Sequence, residues 1–302
     1  MRRPNPPLAI ALMLTATAFI AATMMLAKLL GGDHLGPALH PLQITHGRFV
    51  FAFCAISTAL AVLRPRFGVI HWPLHVGRTA FGAAGVTCMF AAVAFIPLPD
   101  ATAISFLNPV FGMLLAIPFL GERVGPWRWF AAAMAFVGAM ILLRPGTGAF
   151  EVAGLLALAA AVLMGGELIF IKKLSNVENP LQILFINNAL GVCLSTLAVI
   201  PVWVMPTGPQ WAGLIALGVL MACAQACFVN AMARAEASFI TPFSYMTLLF
   251  AALYDLLIFD VVPDAISWLG AGVIVAGALV LAWREGRARP SADTPGPSTA
   301  SK

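Results

Sequence analysis

Charge is scarce in this chain. Asp, Glu, Lys and Arg make up 10% of its 302 residues, against about 25% in soluble domains. That shortage excludes an ordinary water-exposed globule. The charge that remains is basic, net +5 with a pI near 9.2. The Lys and Arg residues sit between apolar segments and form no stripe or aromatic-basic motif, so nucleic acid is excluded as a partner. The five cysteines, Cys54, Cys88, Cys193, Cys223 and Cys227, all fall in apolar segments. None has zinc spacing with histidine, and no loop offers a disulfide pair; they read as small packing residues. His71 and His75 are spaced i,i+4, but Pro73 between them argues against a regular helical turn. His34, His40 and His46 do not align on one helical face. No metal or cofactor site is expected. A Gly-x-x-x-x-Gly-Lys-[Ser/Thr] loop is missing, which excludes a built-in ATP motor. His-Glu-x-x-His, a nucleophile elbow and a buried carboxylate pair are missing too, which argues against a membrane enzyme.

What the chain has is apolar sequence: 61% hydrophobic residues and a mean hydropathy of +0.95. A spanning helix needs roughly 20 mostly apolar residues. Ten segments qualify: about 8–30, 41–63, 75–96, 99–120, 127–143, 151–171, 180–203, 210–231, 237–259 and 265–283. Gly, Pro and charged residues mark the breaks, as at Gly31-Gly32-Asp33 and Arg64-Pro65-Arg66. The opening Met1-Arg2-Arg3-Pro4 resembles the start of a signal peptide. The run Leu8 to Leu30 is too long for one and lacks an obvious cleavage site, so it reads as an uncleaved first helix. The Pro-rich polar stretch 285–302 reads as a disordered cytoplasmic tail.

The sequence also repeats itself. Pro41-Leu42-Gln43-Ile44 returns as Pro180-Leu181-Gln182-Ile183. The same offset of 139 pairs Cys88 with Cys227, Trp129 with Trp268 and Gly138 with Gly277. One constant offset over separated stretches indicates duplication, with repeats at 1–145 and 146–284. With the N-terminus in the cytoplasm, fourteen basic residues fall on cytoplasmic segments, among them Arg64, Arg66, Lys172 and Lys173. Only Lys28 and Arg144 fall on the opposite face. That bias puts both termini inside. Five helices per copy is an odd number, so the second copy enters the membrane from the other side. The expected fold is all-α and membrane-integral: ten helices as two inverted five-helix repeats.

Ionisable groups at membrane depth are candidates for function, because a charge at the bilayer centre costs about 2.5–3.5 kcal/mol on insertion scales. Arg48 lies about two turns into the second segment. It either holds a carboxylate or phosphate through bidentate bonds or serves as a structural arginine that snorkels outward. Asn187 occupies the equivalent place in the second copy. Asn108-Pro109 in the fourth segment and Thr241-Pro242 with Ser244 and Tyr245 in the ninth look like paired broken helices, whose freed carbonyls must face protein or a cavity. Ser105 and Gln225 complete the candidate substrate contacts. Glu167, one turn before Lys172-Lys173, is a candidate proton carrier. Arg78 reads as a gating residue or a positive-inside anchor. Asp255, a turn from the outer end of the ninth segment, either couples or simply reaches water. Gly270-Ala271-Gly272 offers a close-packing face suited to a homodimer.

The stretch Ala94-Phe95-Ile96-Pro97-Leu98-Pro99-Asp100-Ala101-Thr102-Ala103-Ile104-Ser105-Phe106-Leu107-Asn108-Pro109 resembles the drug/metabolite transporter superfamily, in its EamA branch. So do Leu120-Gly121-Glu122-Arg123 with Trp127 and Gly138, and Glu236-Ala237-Ser238, Pro242-Phe243-Ser244-Tyr245 and Trp268-Leu269-Gly270-Ala271. The resemblance runs from about residue 8 to 284. It departs at Phe259-Asp260, where Gly-Glu is common in the family. It implies a ten-helix carrier in the bacterial inner membrane, with a central cavity and alternating access. Transport would be driven by a substrate gradient or a coupled ion such as a proton. The surroundings of Arg48, Arg78 and Ser244-Tyr245 look most like the branch that takes up riboflavin and S-adenosylmethionine. Other relatives export amino acids, metallophore-like compounds or drugs. A non-transporting membrane protein is the distant alternative.

Overall fold

The computed structural model describes residues 6–64, 67–120, 126–143, 149–175, 177–232, 234, 243 and 246–288. Among these, helices account for all regular structure. They are α1 Pro6–Gly31, α2 Pro41–Leu63, α3 Trp72–Val93, α4 Leu98–Ser105, α5 Asn108–Leu120, α6 Pro126–Leu143, α7 Ala149–Ser175, α8 Pro180–Val199 with a 3-10 turn at Ile200–Val202, α9 Gly208–Met232, α10 Met246–Phe259 and α11 Ala265–Ala288. Among the described residues, seven segments are long and apolar enough to cross a membrane, one of them running through α4 and α5, and the apolar cores of α10 and α11 are shorter.

The helix starts follow from sequence. Pro41 and Pro180 sit in the first turns of α2 and α8, where a missing N–H costs nothing. His40 and Asn179, also 139 apart, cap them by accepting the Leu42 and Leu181 N–H groups at 3.2 and 3.0 Å. Three expectations need correction. Pro73 does not prevent a regular turn. It lies in the first turn of α3, so His71 and His75 fall one turn apart beside it. The expected segment 99–120 is two helices, α4 and α5, interrupted at Phe106 and Leu107 rather than at Asn108-Pro109; Pro109 sits in the first turn of α5, where its ring is tolerated. The expected tail begins too early, because α11 runs on to Ala288; residues 289–302 lie outside the described residues.

The surface is apolar where a soluble protein would be charged. Phe119, Trp129, Phe136, Leu197, Leu257 and Leu269 are all at least half exposed. Polar side chains point the other way: Gln43, Arg48, Arg78, Gln182, Asn187 and Asp255 are buried. This inversion is that of a chain solvated by lipid. The central core is rich in alanine, with Ala21, Ala27, Ala92, Ala157, Ala160 and Ala161 all fully buried, which lets backbones approach as membrane helices do.

The packing has a regular order. Taking α4 and α5 together as one segment, α3 lies against α7 and α1 against α9; α2 lies against α9 and α3 against α8; α5 lies against α7 and α1 against α10. The pairs α2 with α8, α4 with α10 and α6 with α11 complete the main contacts. Exchanging each segment of the first half for its counterpart in the second leaves this set of neighbours unchanged. The α6–α11 pair is tightly packed at Gly138, where a side-chain Cβ would stand 2.7 Å from the Gly270 carbonyl. The face proposed from sequence for a homodimer is thus partly occupied within the chain, while Gly272 faces open space.

Candidate functional site: a buried charge cluster between two closed faces

Four helices meet at a polar cluster. α3 brings Arg78 and Thr79, α7 brings Glu167, α8 brings Asn187 and α2 brings Arg48. Arg78 Nε lies 3.3 Å from Glu167 Oε1, and its Nη1 donates to the Ile183 carbonyl at 3.1 Å. Thr79 Oγ1 donates to Asn187 Oδ1 at 3.2 Å. Gly82 of α3 makes room for the carboxylate: a Cβ there would come within 2.8 Å of Glu167 Oε2. Arg48 is 5% exposed. Its guanidinium lies 4.4 Å from the Phe49 ring centre and close enough to Glu167 and Arg78 to interact with both electrostatically. Its Nη1 is buried without a hydrogen-bond partner. Two cations and one carboxylate give the cluster more positive than negative groups, together with an Arg48 donor that has no protein partner. Guanidinium groups bind carboxylates and phosphates through paired hydrogen bonds.

The other sequence candidates separate from this cluster. Ser105 ends α4 and donates to the Thr102 carbonyl at 2.7 Å, tying its own helix. Asn108 begins α5, and its carbonyl faces Gly165 of α7 closely enough that a Cβ there would stand 2.9 Å away. Gln225 on α9 buries an Oε1 without a partner. Thr241, Ser244 and Tyr245 lie outside the described residues. Asp255 does not reach water, as the sequence had left open. It is fully buried, paired with Lys28 at 2.6 Å and accepting the Leu98 N–H at 2.9 Å. The ion pair ties α1 and the start of α4 to the end of α10, and Lys28 also lies 4.4 Å over the Phe259 ring.

Above and below the cluster, connections are clasped by side chains. At the α1–α2 face, Gln43 Nε2 donates to the Val204 carbonyl at 2.6 Å and Gln43 Oε1 accepts the Val204 N–H at 3.2 Å. Thr207 and Gln210 extend that closure to the Leu35 and Pro37 carbonyls at 3.0 and 2.7 Å. At the opposite face, Gln182 Oε1 accepts the Gly68 N–H at 2.7 Å, and Gln182 Nε2 donates to Glu178 Oε2 at 2.9 Å. Glu178 in turn accepts the His71 N–H at 2.8 Å and meets His71 Nδ1 at 3.0 Å and His75 Nε2 at 2.8 Å. Glu178 is 8% exposed. Burial works against its charge, but the His71 N–H and the two imidazoles outweigh it and hold the carboxyl below its usual range. The sequence reading weighed His71 and His75 only as metal ligands and missed Glu178, because Glu178 lies in the α7–α8 connection and the histidines at the start of α3 in the other half. The repetition of Gln43 at Gln182 was the one signal pointing there.

Fold and site together define a multi-pass helical membrane protein with a polar interior, and comparison places it more narrowly. The model of the EamA-like transporter family matches residues 7–144 and again 152–283. The chain belongs to this family of membrane transporters. It is 35% identical over 219 residues to a protein named riboflavin transporter from Rhizobium johnstonii, covering 72% of each chain. It is 29% identical over 243 residues to the pseudopaline exporter CntI of Pseudomonas aeruginosa, covering 77% of this chain and 84% of that one. It is 26% identical over 266 residues to an S-adenosylmethionine uptake transporter of Rickettsia prowazekii, covering 85% and 88%. A crystal structure superposes with a TM-score of 0.65 at 22% identity, covering 94% of this chain and all of that one; at that identity it speaks for the fold alone.

Proposed function

We propose that this protein is a secondary transporter that carries a small polar metabolite across the bacterial inner membrane by alternating access. The observation that carries the proposal is the Arg48–Arg78–Glu167 cluster: buried at membrane depth, net positive, and holding an unused Arg48 donor. An anionic group on the metabolite completes it. Ten crossings in two inverted repeats, divided near residues 145 and 284, supply the machinery. The exchange symmetry of the helix contacts supports this reading, as do the family model's two matches. The basic bias puts the α2–α3 and α7–α8 connections in the cytoplasm with both termini. The α1–α2 and α8–α9 connections then face outward.

Uptake of a vitamin-like or nucleoside-like metabolite is the favoured direction, since the relatives named riboflavin transporter reach 35%, 33% and 31% identity. Export is the second reading, supported by the 29% identity to a pseudopaline exporter. Glu167 is the coupling group: it faces both arginines, so taking up a proton there frees them for the substrate. Flux of labelled riboflavin and S-adenosylmethionine into vesicles containing the purified protein tests the proposal. Metabolite profiling of cells and medium, with and without overexpression, extends the search to other compounds. Folded protein that moves no compound enriched or depleted in that profile would sink the carrier reading.

A further inference from the structure

We propose that Gln43 and Gln182 are paired clamps that close the two faces in turn. The starting point is the repeated Pro-Leu-Gln-Ile. Each glutamine is the third residue of its tetrapeptide, sits in the first turn of its helix and is 1% exposed or less. Each uses its amide on the backbone of a connection in the other half: Gln43 through both ends on Val204, and Gln182 through Oε1 on the Gly68 N–H, its Nε2 bonding Glu178 at 2.9 Å and reaching the Gly68 and Val69 carbonyls at 3.5 and 3.4 Å. The partners lie outside the repeated tetrapeptide and at opposite ends of the helices. One duplicated residue therefore performs the same act at both faces, each time joining one half to the other. An amide that both donates and accepts forms a strong local closure, and the bonds it makes to backbone open without leaving a charge behind.

The two closures differ in one respect. Around Gln182 stand Glu178, His71 and His75. The positions 139 away from these three are Leu39, Gln210 and Leu214, while the Gln43 face has His40 as the cap of α2 and His46 in a cavity shared with Gln43 and Trp203. Gln210 stands where His71 stands and serves the first face through neutral hydrogen bonds to Thr207 and Pro37. At the second face, His71 bonds the carboxylate through Nδ1 while its side chain is 43% exposed.

The inference rests on the carrier reading for the statement that the faces open in turn, and its test needs no substrate. Backbone hydrogen–deuterium exchange is followed by mass spectrometry on the full chain in lipid nanodiscs. Gln182→Ala should raise exchange at residues 68–71 by about ten-fold and lower it at 204–207. Gln43→Ala should do the reverse. Exchange raised only at the connection that lost its glutamine would make each amide an ordinary structural bond and overturn the clamp. A rise at both connections would overturn it as well, by showing general loss of structure. Vesicle flux judges the carrier reading separately.

Discussion

Arg48 carries a positive charge into the interior with one Nη1 unused, so its removal should be felt in transport before stability. Arg48→Ala is expected to insert and elute normally but to lose flux at least about ten-fold, the loss of one charge-assisted contact; unchanged kinetics would make it a packing residue. Gly82 is the complementary test. A methyl group there meets the Glu167 carboxylate at 2.8 Å, so Gly82→Ala should displace Glu167 at a cost of about 1–3 kcal/mol in stability, read as a lower melting temperature. Glu178 gives a pH prediction with a definite sign. Its carboxyl is held below the ordinary value of 4.5, so its contribution to stability is complete above that value and is lost as pH falls through the lower folded one. Glu178→Gln should melt lower at pH 7 and show a flatter acid limb; an acid limb identical to that of the unaltered protein would refute the role.

Elements show how much the sequence made legible. Nine of the ten expected segments coincide with single helices or their described parts, because long apolar runs with Gly, Pro or charge between them have few other solutions in lipid. The fourth was legible only as a length: nothing in 99–120 distinguishes a continuous helix with a proline kink from α4 and α5 interrupted at Phe106 and Leu107. Arg48 and Asn187 were visible as polar residues in apolar runs, and the 139-residue offset aligned them. The partnership of Arg78 with Glu167 was not visible, since it depends on α3 and α7 packing together across the two halves. The burial of Asp255 was not visible for a similar reason: its partner, Lys28, belongs to α1. That pair makes its own prediction. Lys28→Ala leaves Asp255 buried with only the Leu98 N–H and should destabilise by about 3–5 kcal/mol, whereas replacing both by apolar residues should recover much of the loss. A melting series on the two single variants and the double variant decides it.

On the scale of the whole molecule, the exchange symmetry of helix neighbours and the charge bias make a joint prediction about orientation. Single cysteines placed in the α2–α3 connection should react with a membrane-impermeant thiol reagent only in inside-out vesicles. Cysteines in the α8–α9 connection should react only in right-side-out ones. The same side for both would refute the inverted arrangement. The glutamine clasps bear also on how the chain is made. Gln43 is synthesised long before Val204, its bonding partner. Through the insertion of five further segments its amide has no designated mate, and Gly68 likewise waits for Gln182. The first half therefore enters the membrane as an incomplete guest, with polar groups that only the second half can satisfy. A chain truncated after α6 should be held by insertion chaperones or degraded, and supplying the second half as a separate polypeptide should rescue it.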